Sequence, residues 1–229
     1  MFAMMLGRAQ CVLGVAALGL LVATPAIARP AGPAGMPRLQ LRAADSRRAK
    51  SALLRRSDLI STFRVDPRGS GVPIPRCAGF PGDRSNITIT GLAKSSFTDG
   101  TDVMASSSIV FKSYGDLDRY WARTVRSRFA TCNAEAYAST RSARVKMKTL
   151  MARQIRIGAT GAERAAAFRT ITRVWFGGHS PVDWYQTVVF LRQDRGLAAI
   201  KIGYANQPCN CQTGLARRLA GRLIEASHR

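Results

Sequence analysis

Residues with β-branched and aromatic side chains concentrate in four stretches of the C-terminal half of the chain, and this enrichment is typical of strands. Short turns rich in Gly and Asp separate the stretches. Connections of this length join antiparallel neighbours. The four predicted strands are residues 145–157, 166–176, 184–192 and 197–204.

Two more strands are predicted before them. Residues 87–90 alternate Ile with Thr, so one face of this segment is apolar and the other polar. A turn at Asp99-Gly100 then leads into a second β-rich run over residues 103–111. We expect the two runs to pair as a hairpin or as part of a meander.

Between the two groups of strands, apolar residues recur every four positions, which is the period of an amphipathic helix. The repeat consists of Leu117, Trp121, Val125 and Phe129. Ser113 stands where an N-cap belongs, because Ser accepts a hydrogen bond from a free amide of the first turn. The pattern predicts one helix that begins after Ser113 and packs its apolar stripe on the sheet.

Two other helices are predicted at the ends of the domain. Residues 45–59 favour a short helix with Leu53 and Leu54 on one face, and Thr213 is the expected N-cap of a final helix with a Leu-rich stripe. Together these elements predict the α+β class: an antiparallel sheet of about five or six strands, with helices packed on one face.

The N-terminal residues predict export. A lone Arg8 precedes an apolar run over residues 11–23, and the small-residue site Ala26-Ile27-Ala28 follows, which is the layout of a cleavable signal peptide. An uncleaved anchor is the alternative, but a spanning helix needs about 20 apolar residues, more than this run has. We expect a signal peptide at 1–28, a disordered Pro/Ala/Gly-rich leader at 29–44, one domain at 45–229, and a secreted or envelope-associated product.

Four cysteines remain after residue 28, an even number that favours disulfides in an oxidising compartment. A bridge between Cys77 and Cys132 is the preferred pairing, because it ties the loop after the first helix to the end of the second. Cys209 and Cys211 would then close a small ring with an easily reduced bond. Crossed pairings stay open, as does a redox or thiophilic-metal role for Cys209 and Cys211.

The chain carries 35 Lys+Arg against 13 Asp+Glu, a net charge of +22, which attracts polyanions. If pleating aligns two neighbouring strands, Lys146, Lys148, Arg169 and Arg173 form a positive stripe. Such a stripe suits anionic envelope polymers, phospholipid headgroups or nucleic acid. A solvated sheet face is the alternative, since aromatic residues are not interleaved with these charges along the sequence, and codon bias toward Arg accounts equally for the composition.

Aromatic residues near one loop suggest a site for a small ligand. The candidate ligand-binding residues are Trp175, His179, Trp184 and Tyr185. The three aromatic residues flank the loop that contains His179 and supply apolar surface for a cleft, although core packing explains such residues equally well. His179 lies near Ser180 and Asp183, but no nucleophile elbow surrounds any serine. The sequence therefore predicts no catalytic residues, no cofactor and no metal.

Several segments resemble the extracellular sensor domains of PknH-type receptor kinases and related stand-alone exported actinobacterial proteins. They are the segment Ala-Leu-Leu-Arg-Arg-Ser-Asp-Leu at residues 52–59, a loop cysteine, the strand end at 91–95, and Phe111 and Trp121 before Cys132. The likeness covers about residues 48–226. Two features depart from the family: this chain holds no kinase domain, and the Cys209-Asn210-Cys211 pair does not match a separated second bridge.

The resemblance implies a cleft-bearing, disulfide-secured α+β domain that binds or senses an extracellular ligand without chemistry. Our leading expectation is therefore an exported, non-enzymatic, sensor-like domain at the bacterial cell envelope, with an unknown small or envelope ligand as partner. The alternative is a cationic protein that binds anionic polymers or a membrane surface through the basic stripe.

Overall fold

A computed structural model describes residues 35–139, 145–176 and 180–228. The predicted signal peptide, residues 29–34 of the predicted leader, and His179 lie outside these residues. The helices are α1 (Ala43–Ser51), α2 (Tyr114–Thr124), α3 (Arg128–Ser139) and α4 (Gln212–Ser227), with a 3₁₀ turn at Arg56–Asp58. The strands are β1 (Arg38–Leu39), β2 (Arg64–Val65), β3 (Thr88–Asp99), β4 (Asp102–Phe111), β5 (Val145–Ile155), β6 (Arg164–Phe176), β7 (Val182–Gln193) and β8 (Gly196–Ala205).

All eight strands belong to one sheet, with β1, β3, β4, β8, β7, β6 and β5 side by side in that order and β2 paired to β3. The six long strands pair antiparallel, and only the short β1 is parallel to its neighbour. The α+β class and the antiparallel sheet are thus confirmed. All six predicted strands are present, and the sheet gains the two-residue strands β1 and β2.

Helices cover both faces of this sheet, so the expectation that they pack on one face is wrong. Even-numbered residues of β6 and β7, such as Phe168 and Phe190, pack in a cluster with α2 and α3. Odd-numbered residues of the same strands, such as Ala167 and Leu191, pack in a second cluster with α4 and the segment after α1. These residues are apolar because helices cover both faces of this part of the sheet.

The core beneath α2 and α3 is aromatic. Phe129 of α3 lies 5.1 Å from Phe168 and 5.0 Å from Phe190, measured between ring centroids. The disulfide between Cys77 and Cys132 fastens α3 to the loop that precedes β3, which confirms the preferred pairing. The second disulfide joins Cys209 and Cys211.

Several boundaries differ from the sequence predictions. The four-residue apolar repeat does not form one helix, because α2 ends at Thr124 and α3 begins at Arg128. Ser113 caps α2 as predicted, and its Oγ accepts a hydrogen bond from the amide of Asp116 at 3.1 Å. The N-cap of α4 is Cys211 and not Thr213. Regular structure also begins inside the predicted leader, because Arg38–Leu39 pairs with β3.

Candidate binding face on the sheet

The residues of the predicted positive stripe come together on one face of β5 and β6. In the register of this pair Lys148 lies opposite Arg173 and Arg153 lies opposite Arg169. Lys146 lies opposite Trp175 at the end of the same pair. We refer to these residues, together with Tyr185 of β7, as the basic face: Lys146, Lys148, Arg153, Arg169, Arg173, Trp175 and Tyr185.

The basic face is the continuation of the surface on which α4 packs. Side chains on a strand alternate between the two faces, so Arg169, Arg173 and Trp175 share a face with Ala167. Ala167 is fully buried in the cluster beneath α4. Arg169, Arg173 and Trp175 are half-buried, and Lys148 and Arg153 on β5 are exposed. The α4 cover therefore stops short of this part of β5 and β6.

Like charges lie directly opposite one another at two positions of the basic face, at Lys148–Arg173 and Arg153–Arg169. Such cross-strand pairs destabilise a sheet. Strands β5, β6 and β7 contain a single acid, Asp183. Its carboxylate accepts from Arg173 Nε at 2.7 Å and from Nη2 at 2.9 Å.

The contact with Arg173 lowers the pKa of Asp183, chiefly through the hydrogen bond to its carboxylate. The same contact compensates one of the opposed charges. Arg169 has a neutral partner, since its Nε donates to Thr187 Oγ1 at 3.1 Å. The Arg153–Arg169 pair is therefore left without an acid among the residues of these three strands, and the face keeps a positive excess.

Pairing interleaves aromatic side chains with the charges, which the linear sequence did not reveal. Trp175 lies beside Arg173 on β6 and opposite Lys146, and Tyr185 lies opposite Ile171, between the positions of Arg169 and Arg173. The register therefore removes the absence of accompanying aromatic residues as a reason for a plain solvated face, and the solvated face itself stays a prediction. Only the strand register shows which aromatic residues lie among the cations, and the register cannot be derived from composition.

The predicted aromatic ligand residues do not converge on one cleft. Trp175 and Tyr185 belong to the basic face, whereas Trp184 points to the opposite face of the sheet. There its indole lies over Gly203, where an added Cβ would approach Trp184 Cζ2 to 2.5 Å. The fourth candidate, His179, lies outside the described residues.

The face occupied by Trp184 carries two polar residues that the sequence reasoning missed. Gln186 is only 3% exposed, and its Oε1 has no hydrogen-bond partner. Lys201 lies diagonally across from it, because Gln186 is opposite Gly203. Burial lowers the pKa of Lys201, and the charge of Asp66 offsets that effect only in part. A lysine in the otherwise apolar run of β8 was the available signal.

Metal chemistry finds no support in the described part of the chain, where no group of three or more His, Cys, Asp or Glu residues is placed to hold an ion. Among the same residues, no helix combines the length and the apolar character that a bilayer crossing requires.

Comparisons with known proteins add little to this picture. No family model matches the chain, and no curated protein matches it. Among solved structures, an uncharacterised protein of Mycobacterium smegmatis is similar, with 13% sequence identity and a TM-score of 0.40. The match covers 81% of this chain and 98% of the other. None of these comparisons tests the resemblance to the PknH-type sensor domains, which stays a prediction.

Proposed function

We propose that this chain is an exported, non-enzymatic binding domain whose basic face holds a linear anionic polymer of the bacterial cell envelope. The observation that carries the proposal is the Arg153–Arg169 opposition across β5 and β6, for which these strands supply no acid. Lys148–Arg173 lies beside it, and there Asp183 compensates only one of the two charges. An arrangement that costs the sheet stability is retained most simply where an anion neutralises it on binding.

The layout of the face fits a linear partner. Residues on one side of a strand recur about every 6.7 Å, so the two cation pairs lie roughly 13 Å apart along β6. Met151 and Ile171 lie opposite each other between the pairs. A flexible chain of phosphates laid along β6 contacts both pairs, while its apolar linkers rest on the Met151–Ile171 strip.

Trp175 and Tyr185 extend this recognition beyond charge. Both are half-buried, so part of each side chain is open to solvent. Exposed aromatic faces accept flat or ring-shaped groups by stacking, as in proteins that hold single-stranded polymers. Sugar-substituted polyol phosphates combine the regular charges and the rings that this face would bind.

The test measures binding of purified polyglycerol phosphate to the mature protein at stepped NaCl concentrations. Replacing Lys146 and Lys148 with Gln should weaken binding and lower the slope of log affinity against log salt by about two. The matched control replaces Lys50 and Lys112 with Gln, which removes the same charge from two other exposed positions. The control should bind almost as the unmodified protein does.

Three outcomes would count against the proposal. Equal loss in both double variants would show a response to net charge alone. Failure to bind polyglycerol phosphate would exclude this polymer as the partner. Preferential binding to vesicles of anionic phospholipid would show that the basic face binds a membrane surface. Export has its own test, because the secreted protein should begin near Arg29 when its N-terminus is sequenced.

The opposite face supports a second candidate function, a sensor-like site for a small anionic ligand. The ammonium group of Lys201, partly desolvated, would bind the anionic group of the ligand, and Trp184 would supply an apolar wall. The unpaired Oε1 of Gln186 would accept a hydrogen bond from a separate donor group of the same ligand. Such a ligand would bind with little salt dependence, because buried charge pairs are weakly screened. Replacing Lys201 with Met should abolish that binding while leaving polymer binding unchanged.

A further inference from the structure

The disulfide between Cys209 and Cys211 lies in the connection from β8 to α4, on the surface of the protein. Both cysteines are half-buried and Asn210 between them is exposed. Both cysteines also pack against the cluster beneath α4, so the bond is partly shielded by the core and partly open to a partner in solution. Exposed disulfides belong to the labile or catalytic class, whereas structural ones are shielded.

This disulfide does little to hold the fold together. It joins residues two positions apart in one loop, whereas Cys77 and Cys132 are 55 positions apart and join two elements. A cross-link stabilises a protein chiefly by restricting the unfolded chain, and the restriction grows with the length of the closed loop. A bond with a sequence separation of 2 restricts the unfolded chain much less than one with a separation of 55, so stability is the smaller reason to have it.

The surroundings of the bond stabilise a thiolate when it opens. The amide of Cys211 donates to Cys209 Sγ at 2.9 Å. Cys211 is the N-cap of α4, a helix of 16 residues whose first turn contains no acid. Free amides and the positive end of a helix favour a thiolate over a thiol. Leaving-group sulfurs that are stable as thiolates depart faster in exchange reactions.

We infer that Cys209 and Cys211 form a thiol–disulfide exchange site that reacts with dithiols outside the cytoplasm. A thiolate of the dithiol bonds to Cys211 Sγ, the bond between the two cysteines breaks, and its electron pair goes to Cys209 Sγ. The second thiol of the dithiol then displaces Cys211. The dithiol leaves as a disulfide, and its two electrons and two protons reside on Cys209 and Cys211.

The chain provides an internal control in its other disulfide. Cys132 is fully buried, and its bridge lies against the core beneath α2 and α3. The folded, oxidised protein is exposed to stepped ratios of reduced to oxidised dithiothreitol, alkylated, and analysed by peptide mass spectrometry. We expect Cys209 and Cys211 to be alkylated at ratios at least tenfold lower than those needed for Cys77 and Cys132. Simultaneous reduction of both bridges, or later reduction of Cys209–Cys211, would overturn the inference.

A second measurement separates a site from an ordinary exposed bond. The isolated disulfide peptide Pro-Cys-Asn-Cys-Gln has the same ring without α4. Dithiothreitol should reduce the bond in the folded protein about tenfold faster than in the peptide, because only the protein supplies the helix terminus. Equal rates would show that the fold contributes nothing and would refute the inference. The Cys209→Ala, Cys211→Ala variant should lose the fast phase and keep its fold.

Discussion

The two disulfides should differ sharply in their contribution to stability, and this difference can be calculated from their spacing. Cys77 and Cys132 close a loop with a sequence separation of 55, and Cys209 and Cys211 one with a separation of 2. The loop-entropy relation then assigns about 4 kcal/mol to the first bridge and roughly 1.5 kcal/mol to the second. The difference, about 2.5 kcal/mol, is well above the error of an unfolding experiment.

The perturbation is a pair of double variants, Cys77→Ala with Cys132→Ala and Cys209→Ala with Cys211→Ala. Burial adds to the first loss, because Cys132 is fully buried between α3 and the sheet and its truncation leaves unfilled space. Thermal unfolding followed by circular dichroism is the assay. A chain of this size loses about 2–4 °C of Tm per kcal/mol, so we expect roughly 8–16 °C for the first variant and about 3–6 °C for the second.

A loss of Tm in the second variant equal to that in the first would refute this reasoning, since it would mean that the short ring supports the fold. The same result would weaken the exchange site, whose argument depends on a bond with little structural value. Unfolding of the unmodified protein under reducing conditions provides the reference in which both bridges are open.

Two further predictions concern packing and charge. Gly91→Ala should cost about 1–3 kcal/mol in thermal unfolding, because an added Cβ would lie 2.2 Å from the backbone oxygen of Asp45 in α1, and an unchanged Tm would contradict this contact. Asp58→Asn should cost about 3 kcal/mol, because it removes the negative charge and one of the two acceptor oxygens that Arg222 contacts at 2.6 and 2.7 Å. Burial raises the pKa of Asp58, but the bonds from Arg222 and the amide of Arg55 outweigh it and lower the pKa below 3.8. This stabilisation is present above pH 3.8 and is lost as the pH falls through the lowered value, so acid unfolding of the variant should show a weaker pH dependence.

Sequence patterns were sufficient for β7 and β8 because consecutive residues of these strands are buried, which places apolar side chains on both faces. Segments such as residues 184–192 and 197–204 are continuously rich in β-branched and apolar residues, and short turns dictate antiparallel pairing. The same apolar segments also indicate that both faces of the sheet are covered, which the sequence prediction overlooked. A strand with one solvent-exposed face alternates buried and exposed residues along the chain. Strand β7 instead has six consecutive buried residues. Helices on both faces follow from that run.

Other features depend on contacts that no local pattern records. The four-residue repeat from Leu117 to Phe129 predicts one helix, yet Val125 leaves the helical conformation with ψ at 73° and the chain turns into α3. This break allows Phe129 to meet Phe168 and Phe190 in the core, and the packing outweighs the local preference. The interleaving of Trp175 with the cations is likewise a property of register.

Protection of a sheet edge offers a rival explanation for part of the basic face. Strand β5 is the last strand of the sheet, and lysines on an edge strand discourage pairing with other chains. That account covers Lys146 and Lys148. It does not cover Arg169 and Arg173, because β6 is paired on both sides and has no free edge to protect. Asp183 already neutralises Arg173 from within the domain, but Arg169 has only the neutral Thr187 as partner and lies opposite Arg153. Because no acid of β5, β6 or β7 is left for the Arg153–Arg169 pair, our proposal takes its neutralising anion from outside the domain.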